Sequence, residues 1–231
     1  MKVRSTAAGP FKEKPYYSLE TIEQMCWDEL HNAGLYPEMP SAIRIDRFVE
    51  KRFSVSIAYD DLPKGLLGFT EFGLKGVVAV VVSKTLDDGY LSSERRIRTT
   101  LAHEAGHGLL HTHLLVLGAE TRSMFEGAVD DQQRLLCRED GSYNRKPGEY
   151  DGKWWEHQAN LAMSSLLLPR GLVDRALEPM LMSSGSLGVK AVANDRRNEA
   201  VNTLARVFDV NPVVARIRLD ALYPESGQLT L

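Results

Sequence analysis

Apolar positions along the 231-residue chain change period several times, and each change predicts a change of element. From Ser18 to Ala33 the residues Leu19, Ile22, Met25, Cys26, Leu30 and Ala33 recur at helical spacing, with Ser18 or Thr21 placed to cap the start and Gly34 to end it. Residues 41–53 predict a second short amphipathic helix through Ile43, Ile45, Phe48 and Val49. The period then becomes two. Residues 54–59, 66–70 and 77–82 read as three strands of a small sheet, bounded by Gly73, Gly76 and the turn Asp87-Asp88-Gly89. Helical spacing returns over 94–115, with Ser92 or Ser93 as its cap. Residues 117–152 predict a loop with a short helical patch at 130–137, and 154–168 a strong helix stopped by Pro169 and Gly171. Further helices are expected over 171–182, 196–208 and from Asn211-Pro212 to about Tyr223. The order predicts an α+β fold: a polar, flexible leader over 1–15, one domain over 16–222 and a tail over 223–231.

Composition narrows the class. A net charge of −3 argues against a protein that coats nucleic acid. The longest apolar run, Val77 to Val82, is far short of the ~20 residues of a membrane span. Residues 1–15 lack the apolar stretch of a secretory signal, and two cysteines, Cys26 and Cys137, make no disulfide framework, so a cytoplasmic, reduced protein is expected.

The chemistry concentrates in Leu101-Ala102-His103-Glu104-Ala105-Gly106-His107, an H-E-x-x-H string in a stretch of helical period. Residues four apart share a helix face, so both imidazoles can reach one ion. Glu104, rotated by about 100°, can stand beside that ion as a general base. Gly106 and Gly108 weaken the helix by about 1 kcal/mol each, which predicts a close neighbour there.

A catalytic zinc usually takes three protein ligands, and the chain offers three candidates for the third. His111 continues the row of His103 and His107 but lies about two turns from His103, which suits a supporting or packing residue better. His113 sits where an extended H-E-x-x-H-x-x-G-x-x-H pattern has its last histidine, but Leu110 replaces the glycine that turns the chain. Glu156 opens the second strong helix, with Asn160 on the same face; it reads equally as a first-turn acid favoured by the helix dipole.

The string His103 to His111, followed by Glu156-His157-Gln158-Ala159-Asn160-Leu161-Ala162 and Leu166-Leu167-Leu168-Pro169, resembles the ImmA/IrrE family of bacterial metallopeptidases over roughly residues 40–222. The chain departs from that family in the forty-eight residues between His107 and Glu156, and in Leu161-Ala162 where phenylalanine is often found. The resemblance implies a zincin-like metallo-endopeptidase in which His103, His107 and Glu156 hold Zn2+ (Mn2+ or Fe2+ as alternatives) and Glu104 is catalytic. It further implies a protein substrate, a helix-turn-helix repressor or antitoxin encoded nearby.

Smaller features carry expectations too. The strand Val77 to Val82 is a candidate for pairing with an extended substrate, although its unbroken apolarity favours a strand covered on both faces. Tyr143, Tyr150 and His157 are candidate oxyanion stabilisers, each with a structural alternative. Trp154 or Trp155 is expected to wall the cleft, and Cys137 to be a buried thiol. Two rival functions remain: a DNA-binding regulator whose helix-turn-helix-like residues 196–222 bind duplex while zinc is structural, and a protein that binds its partner without cutting it.

Overall fold

A computed structural model describes residues 2–5, 13–126, 133–138, 153–184 and 189–224. The fold is mixed α and β, with one four-stranded mixed sheet backed by helices. Strands β1 (Lys2–Ser5) and β2 (Glu13–Tyr16) pair antiparallel within the segment expected as a leader. Helix α1 (Leu19–Asn32) begins where expected, its Ser18 hydroxyl accepting from the Thr21 amide at 3.2 Å. Helix α2 (Ile45–Phe53) follows, then β3 (Ile57–Asp60), β4 (Leu66–Gly73) and β5 (Gly76–Ser83).

Helix α3 (Leu91–Glu126) carries residues 103–107 and is longer than its periodicity predicts, taking in residues 117–126 that were expected to be loop. Its entry is organised by Asp88 rather than by Ser92 or Ser93: Asp88 Oδ1 accepts from the Tyr90 amide at 3.1 Å and from the Ser93 hydroxyl. Residues 133–138, which overlap the helical patch expected at 130–137, instead form a strand, β6 (Gln133–Arg138). Here a sheet edge prevails over local propensity: Leu135 turns inward, Arg134 outward, and β6 joins β4 antiparallel.

The sheet order is β3-β5-β4-β6, with β3 parallel to β5 and the other pairs antiparallel. Strand β5, which holds Val77 to Val82, is therefore interior with both edges paired, so it offers no free edge to a substrate. Its apolar run is explained by burial: Val80 and Val82 are inaccessible.

After helix α4 (Trp154–Leu167) the expected helix over 171–182 shortens to α5 (Arg170–Ala176). A single 3-10 turn at Glu178–Met180 follows, and Pro179, which has no amide to donate, keeps the chain from continuing as α-helix. Strands β7 (Leu181–Ser184) and β8 (Val189–Val192) then pair antiparallel, and helices α6 (Arg197–Val207) and α7 (Pro212–Leu222) complete the fold.

The last two helices belong to the core. Leu204, Phe208, Val210, Ala215 and Leu219 join Ile22, Phe48, Val80, Leu101 and Leu166 in one cluster. Their turn is tied to α3, where Asp209 accepts from Arg95 Nε at 2.9 Å and Arg98 Nη1 at 2.7 Å. Two of their arginines point inward: Arg218 is inaccessible, donates to the Leu168 carbonyl at 2.9 Å and makes a charge contact with Glu23 at 2.7 Å. Arg197 is likewise buried, bonding Tyr223 O and Asp220.

Helices α3 and α4 meet closely, and the glycines show how. A methyl group on Gly106 would lie 2.8 Å from the Ala159 carbonyl oxygen, and one on Gly108 2.5 Å from the Phe53 ring. Substituting Gly106 with Val should therefore push α4 away, costing roughly 1–3 kcal/mol, visible as a lowered denaturation midpoint. A midpoint equal to that of the wild type would show that the contact is not limiting.

Candidate metal centre

Residues His103, His107 and Glu156 converge where α3 faces α4. His103 Nε2 lies 3.1 Å from His107 Nε2 and 3.1 Å from Glu156 Oε2, and His107 Nε2 lies 3.6 Å from Glu156 Oε1. Tetrahedral ligands at ~2.0–2.1 Å from a zinc ion would stand about 3.3 Å apart, the scale of this triangle. Both histidines are buried, while the Glu156 side chain keeps 20% of its surface exposed, so the triangle opens on the glutamate side.

The protons around the triangle can be traced from its far end. Gln158 Nε2 donates to the Pro15 carbonyl at 2.9 Å, so its Oε1 is turned to His111 Nε2 at 3.2 Å and accepts a hydrogen bond from its N–H. His111 Nδ1 is then a lone pair, and His107 Nδ1, 3.0 Å away, donates to it. That leaves a lone pair on His107 Nε2. On His103, Nδ1 faces Asn160 Oδ1 at 3.0 Å, and donation there leaves its Nε2 as a lone pair too. Two lone pairs and a carboxylate thus face one another, and three acceptors at such separations need a cation, or a proton, between them. The residues present fit a divalent ion.

Without the ion, a proton takes part of its place. Burial lowers the His103 pKa, but the hydrogen bond and charge of Glu156, together with Glu104, outweigh this and the net shift is upward. Burial opposes ionisation of Glu156, yet its bonds to His103 and His107 dominate and hold it well below the usual carboxylate range. Desolvation keeps His107 and His111 neutral, with His111 lowered well below 6.5.

Glu104 lies beside the triangle, fully buried under β4. Its Oε2 accepts from the Thr70 hydroxyl at 2.5 Å, and Thr70 also reaches the Glu104 carbonyl at 3.1 Å. Oε1 is buried with no hydrogen-bond partner among the described residues, so one carboxylate oxygen is held and the other is unengaged there. Gly68 makes room: a methyl there would sit 2.7 Å from the Val81 carbonyl oxygen and 3.5 Å from Glu104 Oε1. Desolvation raises the Glu104 pKa to about 8, against the opposing pull of His103 and of the Thr70 hydrogen bond.

Among the third-ligand candidates the geometry selects Glu156. His111 turns its Nδ1 to the back of His107, away from Glu156, and serves as that ligand's support. His113 is not part of the triangle, and its buried Nε2 has no hydrogen-bond partner among the described residues. His157 is exposed, Trp154 is buried and Trp155 half-buried against it. Tyr143, Tyr150 and the side chain of Cys137 lie outside the described residues. The supports that sequence reasoning missed are Thr70 and Gln158. The i, i+4 spacing of His107 and His111 was the only local hint of the chain leading to Gln158. Replacing His111 with Phe removes the acceptor behind His107 and should weaken metal binding roughly 10–100-fold, measured by calorimetric titration; unchanged affinity would remove His111 from the site.

The chain matches no protein-family model and no curated protein. Among the described residues, no helix is long and apolar enough to cross a membrane.

Proposed function

We propose that this protein is a cytoplasmic, zinc-dependent endopeptidase of the zincin-like, ImmA/IrrE type, with Mn2+ or Fe2+ as alternative ions. The observation that carries the reading is the convergence of two imidazole lone pairs and the Glu156 carboxylate beside Glu104, a buried carboxylate with one oxygen unengaged. His103, His107 and Glu156 would hold the ion. When bound, it supplies Lewis acidity that polarises a carbonyl and makes water more acidic.

The rest is done by the chain. Glu104 removes a proton from the attacking water and delivers it to the departing amine, a general-base role worth roughly 10²–10⁴-fold. Thr70 keeps Oε2 in place so that Oε1 faces the reaction. A nearby divalent charge favours the ionised carboxylate, which brings Glu104 below its metal-free value of about 8 and into use at neutral pH. Asn160 and His111 orient the two imidazoles.

The proposed substrate is a protein, a helix-turn-helix repressor or antitoxin encoded nearby. The DNA-binding alternative is weaker because Arg197 and Arg218 of the last two helices are buried rather than offered to phosphate. Co-incubation with the product of the neighbouring gene, with and without chelator, followed by mass spectrometry of fragments, tests the proposal. Chelator-sensitive fragments support it; an intact partner in both arms counts against it.

A further inference from the structure

The segment expected as a leader reaches the metal centre through one backbone atom. Pro15 is buried, and its carbonyl oxygen accepts from Gln158 Nε2 at 2.9 Å. That carbonyl is held from both sides along the chain. Ahead of it β2 pairs with β1, with Pro15 opposite Val3, and behind it Tyr17 packs against the main core and Ser18 caps α1. Proline carries no N–H, so this backbone position offers Gln158 an acceptor and no donor. The amide end of Gln158 must therefore face Pro15 and its carbonyl end His111, 3.2 Å away. Two residues on the far side of α4 from Glu156 thus fix the polarity of the hydrogen-bond chain that ends on His107.

Resting on the metal centre of the reading above, we propose that the Pro15 carbonyl and Gln158 are a positioning pair for the ion: they decide which nitrogen of His107 carries its proton, and so whether Nε2 can ligate. Turning the Gln158 amide over would reverse every bond behind it. Its Nε2 would donate to His111 Nε2, His111 Nδ1 would donate across the 3.0 Å contact, and His107 would carry its proton on Nε2. One proton leaves the far ring and one arrives on the near ring, so each imidazole still holds one and no net charge changes. The His107 proton would then point into the ligand triangle, toward Glu156 Oε1 at 3.6 Å, in the place of the ion. In the metal-free protein the carboxylate favours that reversed arrangement, because it attracts an N–H donor. The Pro15 carbonyl stands against it. An ion binds only the fraction of molecules with the lone pair inward, so its apparent affinity falls by that fraction when the carbonyl is lost. The N-terminal hairpin is, on this account, part of the metal centre.

The test uses the full chain, with zinc affinity read by calorimetric titration and the His107 tautomer by ring-nitrogen NMR of the metal-free protein. Pro15→Lys puts a cation on a buried position, which either lifts β2 from α4 or gives Gln158 a donor; both release the amide. It should bind zinc roughly 10–100-fold more weakly and move the His107 proton from Nδ1 to Nε2. Gln158→Glu presents an acceptor to His111 whichever way it turns. It should bind zinc at least as tightly as the wild type, and adding Pro15→Lys to it should cost no further affinity. Gln158→Met, of similar length without the amide, should lose as much affinity as Pro15→Lys. Equal losses in Gln158→Glu and Gln158→Met would mean that the residue only packs, and would overturn the proposal, as would a His107 proton on Nε2 in the wild type. If Pro15→Lys does not fold, those two variants and the wild-type spectrum decide. The tautomers are read without metal or substrate, so the two readings can fail separately. The expected proton positions in a protein that cleaves no polypeptide under any cation would keep the positioning pair and remove the peptidase reading. Zinc-dependent hydrolysis, with Pro15→Lys matching the wild type in zinc affinity and tautomer, would do the reverse.

Discussion

Glu104→Gln is expected to lower peptide hydrolysis by roughly 10²–10⁴-fold while zinc binding is retained, because the side chain stands beside the ligand triangle and is not part of it. The same substitution has a second, opposite signature. In the metal-free protein the Glu104 pKa rises from 4.5 to about 8, with burial as the leading cause. Between those values the folded protein keeps a proton that the unfolded chain has released. The wild-type stability contributed by this group therefore falls as pH climbs, by up to about 1.4 kcal/mol per pH unit, and levels off above about pH 8. Glutamine carries no such dependence. Metal-free Glu104→Gln should thus gain on the wild type in urea denaturation as pH rises from 5 to 8, a stability gain accompanying lost activity. A pH-independent difference between the two proteins would mean that Glu104 is not buried as an acid, and undiminished hydrolysis would remove it from the mechanism.

Loss of a ligand should have the largest effect on the metal itself. Glu156→Ala leaves two imidazoles and should weaken zinc binding by more than the roughly 100-fold seen when a mere supporting partner is lost. The thermal readout follows by mass action. An ion at 100 times its dissociation constant stabilises the folded state by about 2.7 kcal/mol. At roughly 2–4 °C per kcal/mol for a chain of this size, the wild-type melting temperature should rise by about 5–10 °C with zinc. That of Glu156→Ala should scarcely move. Because ligand protons compete with the ion, the wild-type increment should also shrink as pH falls and His103, whose pKa is raised, takes up its proton. A zinc-dependent increment of equal size in Glu156→Ala would place the third ligand elsewhere.

These side chains differ in how far a linear sequence reveals them. His103 and His107 are legible because a helix converts a spacing of four into a shared face. Glu156 and Asn160 obey the same rule on their own helix, but that this helix packs on the first depends on Gly106 meeting the Ala159 carbonyl, a contact no spacing encodes. Thr70 is thirty-four residues from Glu104 and reaches it only because β4 lies over α3. Gln158 becomes meaningful only once Pro15 fixes its orientation.

The sheet shows the same division. The three strands before the metal helix announce themselves by alternation or unbroken apolarity. Strand β6 does not, since six residues with an adjacent leucine pair read as readily as a helical turn; the open edge of β4 decides its conformation. Likewise the continuation expected past Ala176 fails at Pro179, where a missing amide outweighs apolar periodicity.

The account turns on one ion held by His103, His107 and Glu156. Anomalous diffraction at the zinc edge from soaked crystals of the Glu104→Gln protein measures this directly. The account predicts a single peak within about 2.0–2.2 Å of His103 Nε2, His107 Nε2 and a Glu156 oxygen, with one coordination position free of protein. No peak at these residues, or an ion enclosed by four protein ligands, would contradict it.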